Sequence, residues 1–193
     1  AVGYNAARCN ISGSFNTAVG YQTLWANTSG SYNTALGPDA LNSNTLGCCN
    51  NAIGPYGLFA NTTGNHNQAI GSSALYSNTT GCHNTSIGDQ TLKDNTTGCY
   101  NTAIGSCALK CNTTGFQNIA IGQCALYNSL SARWNFAAGC RALQSNSGGD
   151  LNVAIGPQVL NANCTGHSNL GIGYLALYSN KAGYYNNAIG PYA

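Results

Sequence analysis

Only 5% of the 193 residues are charged, whereas an ordinary soluble domain has roughly 25%. With 43% apolar residues the chain is too hydrophobic to be disordered, and a net charge of +2 provides no basic patch for a nucleic acid. No apolar stretch approaches the ~20 residues that cross a bilayer, so membrane insertion is not predicted.

A 17-residue unit accounts for the whole chain, and Asn101 to Gln117 is one copy of it. Its leading Asn recurs at every seventeenth residue from Asn16 to Asn186, and the Gly four places later never changes. We number the positions of the unit from 0, the leading Asn, to 16, and call the residues at one position a column. Such a fixed period is the sequence signature of a repeat architecture.

Each unit is predicted to contain a strand, a turn, a short second segment and a second turn. The Asn-Thr-Ala-Ile stretch has the β-branched character of a strand, and the Gly at position 4 ends it. The second segment contributes Ala and Leu, and Asn-Thr-Thr-Gly is typical of a sharp turn. Two helices do not fit in 17 residues, because helical repeats need about 33 or more. The sequence therefore predicts an all-β, single-chain parallel β-solenoid (a β-roll) of about eleven rungs, forming one domain over residues 1–193.

Stacked rungs place identical side chains in columns, which predicts two asparagine ladders, at positions 0 and 11, and an inward Leu column at position 8. Strand alternation turns the Ala at position 2 and the Ile at position 3 to opposite sides. The Ile stripe is then either the core or a subunit interface, and we favour the interface because a continuous outward apolar stripe should be covered. The interface candidates in this stripe are Val19, Leu36, Ile53, Ile70, Ile87, Ile104, Ile121, Ile155, Ile172 and Ile189.

Residues 128–136 interrupt the pattern, because the sequence from Asn128 to Trp134 replaces the usual Asn-Thr-Thr-Gly turn. Trp134 and Phe136 either fill a locally repacked corner or form a contact patch for another chain, which adds both to the interface candidates. Neither end of the sequence resembles a polar capping unit, which suggests head-to-tail stacking into a fibre or a fragment of a longer array.

Ten cysteines favour an oxidising, extracellular setting. Cys82 and Cys99 share a column in adjacent units, as do Cys107 and Cys124, and a rung spacing of about 4.8 Å lies within disulfide reach. Both pairs are predicted to be disulfides, although Cys111 competes for Cys107 and the alternative is reduced, buried thiols. Glycosylation signals give six candidate sites, despite their place in the predicted ladder: Asn27, Asn61, Asn78, Asn95, Asn112 and Asn163.

Motifs for catalysis are missing, and the four acidic residues occupy different positions of the unit. Arg133 and Asp150 share a column and should form a surface ion pair. Cys49, His66 and His83 also share a column, and these ligand types suit zinc, but a flat ladder does not converge on one point. We therefore predict no enzyme, no catalytic residue, no metal and no cofactor.

The strand sequence resembles the Asn-Ser-Val-Ala-Ile-Gly repeat in the head domains of trimeric autotransporter adhesins and related repeats of phage and viral fibres. The similarity is best at residues 33–37, 101–105, 118–122 and 152–156. The resemblance implies a parallel β-roll, three chains that associate along the Ile-bearing strand, and an adhesion or fibre role at a cell or virion surface.

The predicted function is that of a structural subunit of a secreted or surface fibre, whose partner is the chain itself in a head-to-tail fibre or a homotrimer. One alternative is an adhesin that binds surface glycans through aromatic residues at position 9, namely Trp25, Phe59, Tyr76, Tyr127 and Tyr178. A third hypothesis is ice binding through four pairs of threonines, from Thr62 and Thr63 to Thr113 and Thr114, a rank that ends at Leu130 and Ser131.

Overall fold

The computed structural model describes residues 1–193 as eleven short parallel strands joined by tight corners. Each strand has three residues, and all eleven form one sheet in chain order. Every strand pairs with the next at an offset of one unit, as in Thr85 with Thr102. This arrangement confirms the predicted β-solenoid. The strands are β1 Thr17–Val19, β2 Thr34–Leu36, β3 Asn51–Ile53, β4 Gln68–Ile70, β5 Thr85–Ile87, β6 Thr102–Ile104, β7 Ile119–Ile121, β8 Phe136–Ala138, β9 Val153–Ile155, β10 Leu170–Ile172 and β11 Asn187–Ile189.

Hydrogen bonds join neighbouring rungs around the whole circumference of the coil. Of 128 backbone hydrogen bonds only 20 lie in the sheet, and most of the others link one corner to the same corner of the next rung. The N–H of Leu75, for example, donates to the carbonyl of Thr91 at 3.0 Å, and the N–H of Thr79 donates to the carbonyl of Thr96 at 2.9 Å. The molecule is therefore stiffened along its length by every side of the coil. It contains no helix of the length and hydrophobicity that a membrane span requires.

The corners are closed by residues in the left-handed region of backbone conformation, a feature that the sequence did not reveal. Gly at position 4 has φ between 115° and 142°, but positions 6, 8 and 16 also have positive φ with other residue types. The Leu of position 8 has φ of 51° at Leu41, Leu58 and Leu109. A left-handed conformation costs an L-residue about 1–2 kcal/mol, whereas burying a Leu side chain contributes about 1.5–3 kcal/mol. Burial outweighs the strain, which explains why the column contains Leu rather than Gly.

The core is thin, because each rung contributes only a few small or medium side chains to it. The Ala column of the strands faces inward and is 0–1% exposed, from Ala18 to Ala154. The Leu column meets it from the opposite wall and is 0% exposed from Leu24 to Leu160. The Leu column was predicted to face inward and does, and the buried Ala column agrees with the favoured alternative in which Ile faces outward.

Two asparagine ladders complete the interior, as predicted. At position 11, Asn78 Nδ2 donates to Asn61 Oδ1 of the preceding rung at 2.8 Å and to the carbonyl of Gly81 at 3.0 Å. At position 0, the N–H of Asn84 donates to Asn67 Oδ1 at 3.1 Å, while Asn84 Nδ2 donates to the carbonyl of Gly98 at 2.8 Å. The ladders therefore supply partners to backbone groups in the corners that no strand reaches.

The position 11 ladder contradicts the predicted glycosylation sites. Their side chains are 0–1% exposed, and both Nδ2 hydrogens of each are donated within the coil. A glycan would replace one of these hydrogens and would need a path to solvent, so the folded coil cannot accommodate it. The predicted glycosylation sites that the buried ladder excludes are Asn27, Asn61, Asn78, Asn95, Asn112 and Asn163.

The irregular corner keeps its place in the solenoid but interrupts the position 11 ladder. Ser129 replaces the Asn and Ala132 replaces the Gly of the turn. As a result Asn112 Oδ1 and Ser129 Oγ are buried without a hydrogen-bond partner. Strand β8 nevertheless pairs in register with β7 and β9, so the irregularity is confined to the corner.

Candidate interaction surface

The outer face of the sheet consists of the side chains at positions 1 and 3 of each strand, because position 2 faces the core. At position 3, Val19 is 42% exposed, Ile53 37%, Ile121 41% and Ile155 40%. The Ile column is thus outward, which excludes the alternative that it forms the core. Neither position carries a charged residue in any of the eleven strands. We call these two columns over β1–β11 the outer sheet face.

The outer sheet face changes character along the solenoid. Position 1 is Thr, Asn or Gln in β1–β6, but it is apolar in β7–β10. Both positions are therefore apolar over four consecutive strands, and a contiguous apolar surface of this kind marks an interaction site in soluble proteins. We call this region the apolar patch; it consists of Ile119, Ile121, Phe136, Ala138, Val153, Ile155, Leu170 and Ile172.

Strand β8 carries both exceptions in size on the outer sheet face. Phe136 is the one aromatic residue at position 1, and Ala138 is the one small residue at position 3. Both are half-buried in the single chain. The sequence analysis picked out Phe136 but missed Ala138, whose signal was that it is the one residue smaller than Val in a column of Ile, Leu and Val.

Trp134, the other candidate from the irregular region, is held by its own chain. Its Nε1 donates to Gln117 Oε1 at 2.6 Å, and its ring lies edge-on to Phe116 with centroids 5.2 Å apart. The guanidinium of Arg133 lies 5.1 Å from the Trp134 ring centroid. These contacts favour local repacking for Trp134, whereas Phe136 lies on the outer sheet face.

Arg133 and Asp150 form the predicted ion pair, with Arg133 Nη2 and Asp150 Oδ2 2.8 Å apart. The Arg133 side chain is 44% exposed, so the pair contributes only about 0–1 kcal/mol to stability. The more specific contact is made by the other carboxylate oxygen, because Asp150 Oδ1 accepts the backbone N–H of Arg133 at 2.8 Å.

That contact is one instance of a pattern at position 15 that the sequence analysis missed. In six places the side chain at position 15 accepts the backbone N–H of position 15 in the preceding rung, so the column favours short side chains with an acceptor, although it also contains Phe, Arg and Tyr. Cys99 Sγ accepts from Cys82 at 3.0 Å, and His167 Nδ1 accepts from Asp150 at 2.8 Å. The available signal was the frequency of Ser, Cys, Asn, Asp and His in this column.

The cysteine pairs lie in their columns as free thiols. The sulfur atoms of Cys82 and Cys99 are 2.8 Å apart, so these two thiols are in direct contact. Burial, the hydrogen bond with Cys99 and the charge of its thiolate together raise the pKa of Cys82 to about 11. Burial followed by the nearby Cys107 raises the pKa of Cys124. Burial also raises the pKa of Cys111, with smaller contributions that include Cys107. Cys107 thus still has two candidate partners, and the disulfides stay a prediction.

At position 16, the column that contains Cys49, aromatic rings of neighbouring rungs stack on one another. His66 and His83 lie with centroids 4.7 Å apart, and His83 lies 4.9 Å from Tyr100, with nearly parallel planes in both pairs. Their contacts are made by ring faces and not by convergent nitrogen atoms. No group of three His, Cys, Asp or Glu side chains in the molecule is arranged to hold a metal ion.

The aromatic stripe at position 9 also stacks on itself. The rings of Phe59 and Tyr76 are 5.1 Å apart and nearly parallel, and Tyr56 of position 6 packs against both. Polar residues such as Asn42 and Lys93 interrupt the stripe. The ring faces that would bind a sugar are therefore partly occupied by neighbouring rings of the same chain.

Comparison with protein family models, curated proteins and solved structures returns no match to this chain. The resemblance to the head-domain repeats of trimeric autotransporter adhesins accordingly stays a prediction.

Proposed function

We propose that this chain is a structural rod, a subunit of an extracellular or surface fibre, which associates with further copies of itself through the outer sheet face. The solenoid fold is compatible with a structural repeat protein. The observation that supports association is the uncharged Ile column, which is about 40% exposed along the sheet. Covering such a stripe with a partner stabilises the complex by about 25 cal/mol per Å² of apolar surface that is buried.

The rod-like role is supported by the way in which the rungs are joined. The backbone corners, both asparagine ladders and the Thr hydroxyls of position 12 all bond to the next rung; Thr79 Oγ1, for example, donates to the carbonyl of Thr96 at 3.1 Å. A coil stiffened on every side resists bending, which suits a load-bearing element. The extracellular setting is proposed from the ten cysteines.

The test places charge on the outer sheet face without touching the core. We expect the unmodified chain, when dilute, to sediment as a species larger than 19.8 kDa, and we expect these species at higher concentration to stack end to end into thin fibres in electron micrographs. The double variant I87K/I104K should sediment at the monomer mass with an unchanged circular dichroism spectrum, because burying two lysines between sheets is costly. A matched control, T80K/T97K, adds the same charge at exposed positions of another face and should associate like the unmodified chain.

Two results would contradict the proposal. One is an unmodified chain that stays monomeric over a wide concentration range. The other is equal loss of association in I87K/I104K and T80K/T97K, which would make the effect one of net charge and not of the face.

Adhesion and ice binding have less support. The aromatic stripe, the basis of the adhesin hypothesis, stacks on itself. In the Thr pairs, the hydroxyls of position 12 donate to carbonyls within the coil, as Thr62 Oγ1 does to Thr79 at 3.1 Å, so only the position 13 side chains, such as Thr80, are left exposed to ice.

A further inference from the structure

We infer that two copies of the chain pack side by side through their outer sheet faces, parallel and in register, about a two-fold axis that runs along the solenoid. In this dimer Phe136 of each copy packs over Ala138 of the other. The inference rests on the proposed self-association and specifies its geometry. Three properties of the outer sheet face support this arrangement: its area, its distribution of apolar residues and the sizes of its side chains.

The area of the face requires contact along the whole sheet. Ten steps of about 4.8 Å between strands and three residues of about 3.3 Å along each strand make a face of roughly 50 by 10 Å. A stable interface buries about 800 Å² of accessible surface on each partner, which already exceeds the roughly 500 Å² that this face covers in projection. Two coils that cross at a large angle share only a few strands and fall well short, so the coils must lie side by side.

The apolar patch then selects the relative direction of the two coils. A two-fold axis along the solenoid places position 1 of every rung opposite position 3 of the same rung in the other copy, so the patch on β7–β10 covers itself. Reversing one coil about the middle of the sheet instead places the patch against β2–β5, where position 1 is Thr, Asn or Gln. Reversing one coil about the centre of the patch, between β8 and β9, keeps apolar residues opposite apolar residues. It leaves β1–β5 of both copies uncovered, because β6 then lies opposite β11.

Side-chain size fixes the register. Most rungs pair a medium side chain at position 1 with an Ile at position 3, so sliding the coils by one rung would cost little. Strand β8 differs, because in the in-register dimer its large Phe136 lies opposite the small Ala138 of the other copy. The two-fold axis repeats this contact with the two copies exchanged, as an isologous interface requires. A slip of one rung places Phe136 against Ile121 or Ile155 of the other copy and leaves Ala138 with a gap.

The test exchanges large and small side chains between two copies, under reducing conditions that exclude intermolecular disulfides. A138I restores a continuous Ile column but places a large side chain opposite Phe136, and should weaken dimerisation in sedimentation equilibrium roughly tenfold to a hundredfold. F136A leaves a gap and should also weaken it. Mixing the two variants should restore association close to that of the unmodified chain, because one copy then supplies both large side chains and the other both small ones.

The double variant F136T/A138I is the folding control. It makes β8 identical to β6, Thr-Ala-Ile, and so should fold and dimerise like the unmodified chain. If circular dichroism shows that A138I alone misfolds, the test is made with F136A and with a mixture of F136A and the unmodified chain. One gap then remains in the mixed dimer instead of two, so the affinity should be intermediate.

The outcomes separate this inference from the proposed function. If I87K/I104K abolishes association while A138I, F136A and their mixture all associate like the unmodified chain, the outer sheet face is an interface but the two-fold register is wrong. That result is also expected if Phe136 only covers Ala138 of its own strand. If I87K/I104K has no effect, both the function and the register are refuted.

Discussion

At the scale of single residues, the irregular corner shows that two exchanges in one rung compensate each other. In regular rungs, a Cβ added at Gly98 would meet Asn95 Oδ1 of the same rung and the carbonyl of Gly115. An Ala at position 14 therefore clashes both with an Asn at position 11 and with the backbone of the next rung, and replacing the Asn removes the first of these clashes. Ala132, the one Ala in that column, occurs with Ser129, the one residue that replaces the Asn.

This coupling predicts a non-additive response to mutation. The double variant S129N/A132G should raise the free energy of unfolding by about 1–3 kcal/mol, because it gives the orphaned Asn112 Oδ1 a donor. S129N alone should give no gain, since its amide oxygen meets the Cβ of Ala132. Urea denaturation of both single variants and the double variant measures the coupling; equal stability of S129N and the double variant would contradict it.

The Cys82 thiol predicts a dependence of stability on pH in the reduced protein. Its pKa rises from 9.0 to about 11 in the folded chain. Between these values the folded state keeps a proton that the unfolded state releases, so its contribution is fully present below pH 9 and is lost as the pH rises towards 11. The unfolding free energy of the reduced chain should therefore fall more steeply over this interval than that of C82S. Identical slopes for the two proteins would contradict the effect.

At the scale of one rung, the inward and outward residues of the coil have separate tasks. Leu75 is 0% exposed and closes the thin core, whereas Ile70 is 37% exposed and faces away from it. The same loss of methyl groups should thus have different consequences at the two positions.

We expect L75A to destabilise the monomer by about 2–5 kcal/mol, because the truncation leaves a cavity that neighbouring rungs cannot fill. I70A should cost the monomer about 1 kcal/mol or less but should weaken self-association. Chemical denaturation at low concentration and sedimentation at high concentration measure the two effects. Equal destabilisation by both variants would show that the Ile column also supports the core.

At the scale of the whole molecule, the free energy of unfolding should be approximately the sum of the contributions of single rungs and of the contacts between neighbouring rungs. Deleting residues 67–83 removes one 17-residue unit and joins His66 to Asn84, so every column stays in register. This variant should fold, with a smaller denaturant m-value because less surface is exposed on unfolding.

Deleting residues 67–82 is the matched control, because it leaves one additional residue, His83, between His66 and Asn84. It should be less stable than the 17-residue deletion, since the additional residue must either bulge out of the hydrogen-bonded corner or turn Ala outward and Ile inward in the rungs that follow. Equal stability of the two deletions in urea denaturation would contradict the idea that the columns must stay in register.

The amino-acid sequence by itself determined the period, and with it the solenoid, the inward Leu and the two asparagine ladders. It placed Ala and Ile on opposite sides of the strand and favoured an outward Ile, which the structure then decided. A strict repeat allows these predictions because a residue's neighbours in space are its counterparts in adjacent units. The glycosylation sites were predicted wrongly, since a short signal around Asn78 does not reveal that both amide hydrogens are already donated.

Only the tertiary structure decided the features that depend on the path of the chain between columns. These are the left-handed Leu residues, the position 15 acceptors, the exclusion of Ala from a corner that contains Asn, and the place of Phe136 and Ala138 on one open face. Each depends on distances between different positions of the unit, such as the clash between a Cβ and an amide oxygen. A period specifies which residues stack but not how one column approaches another.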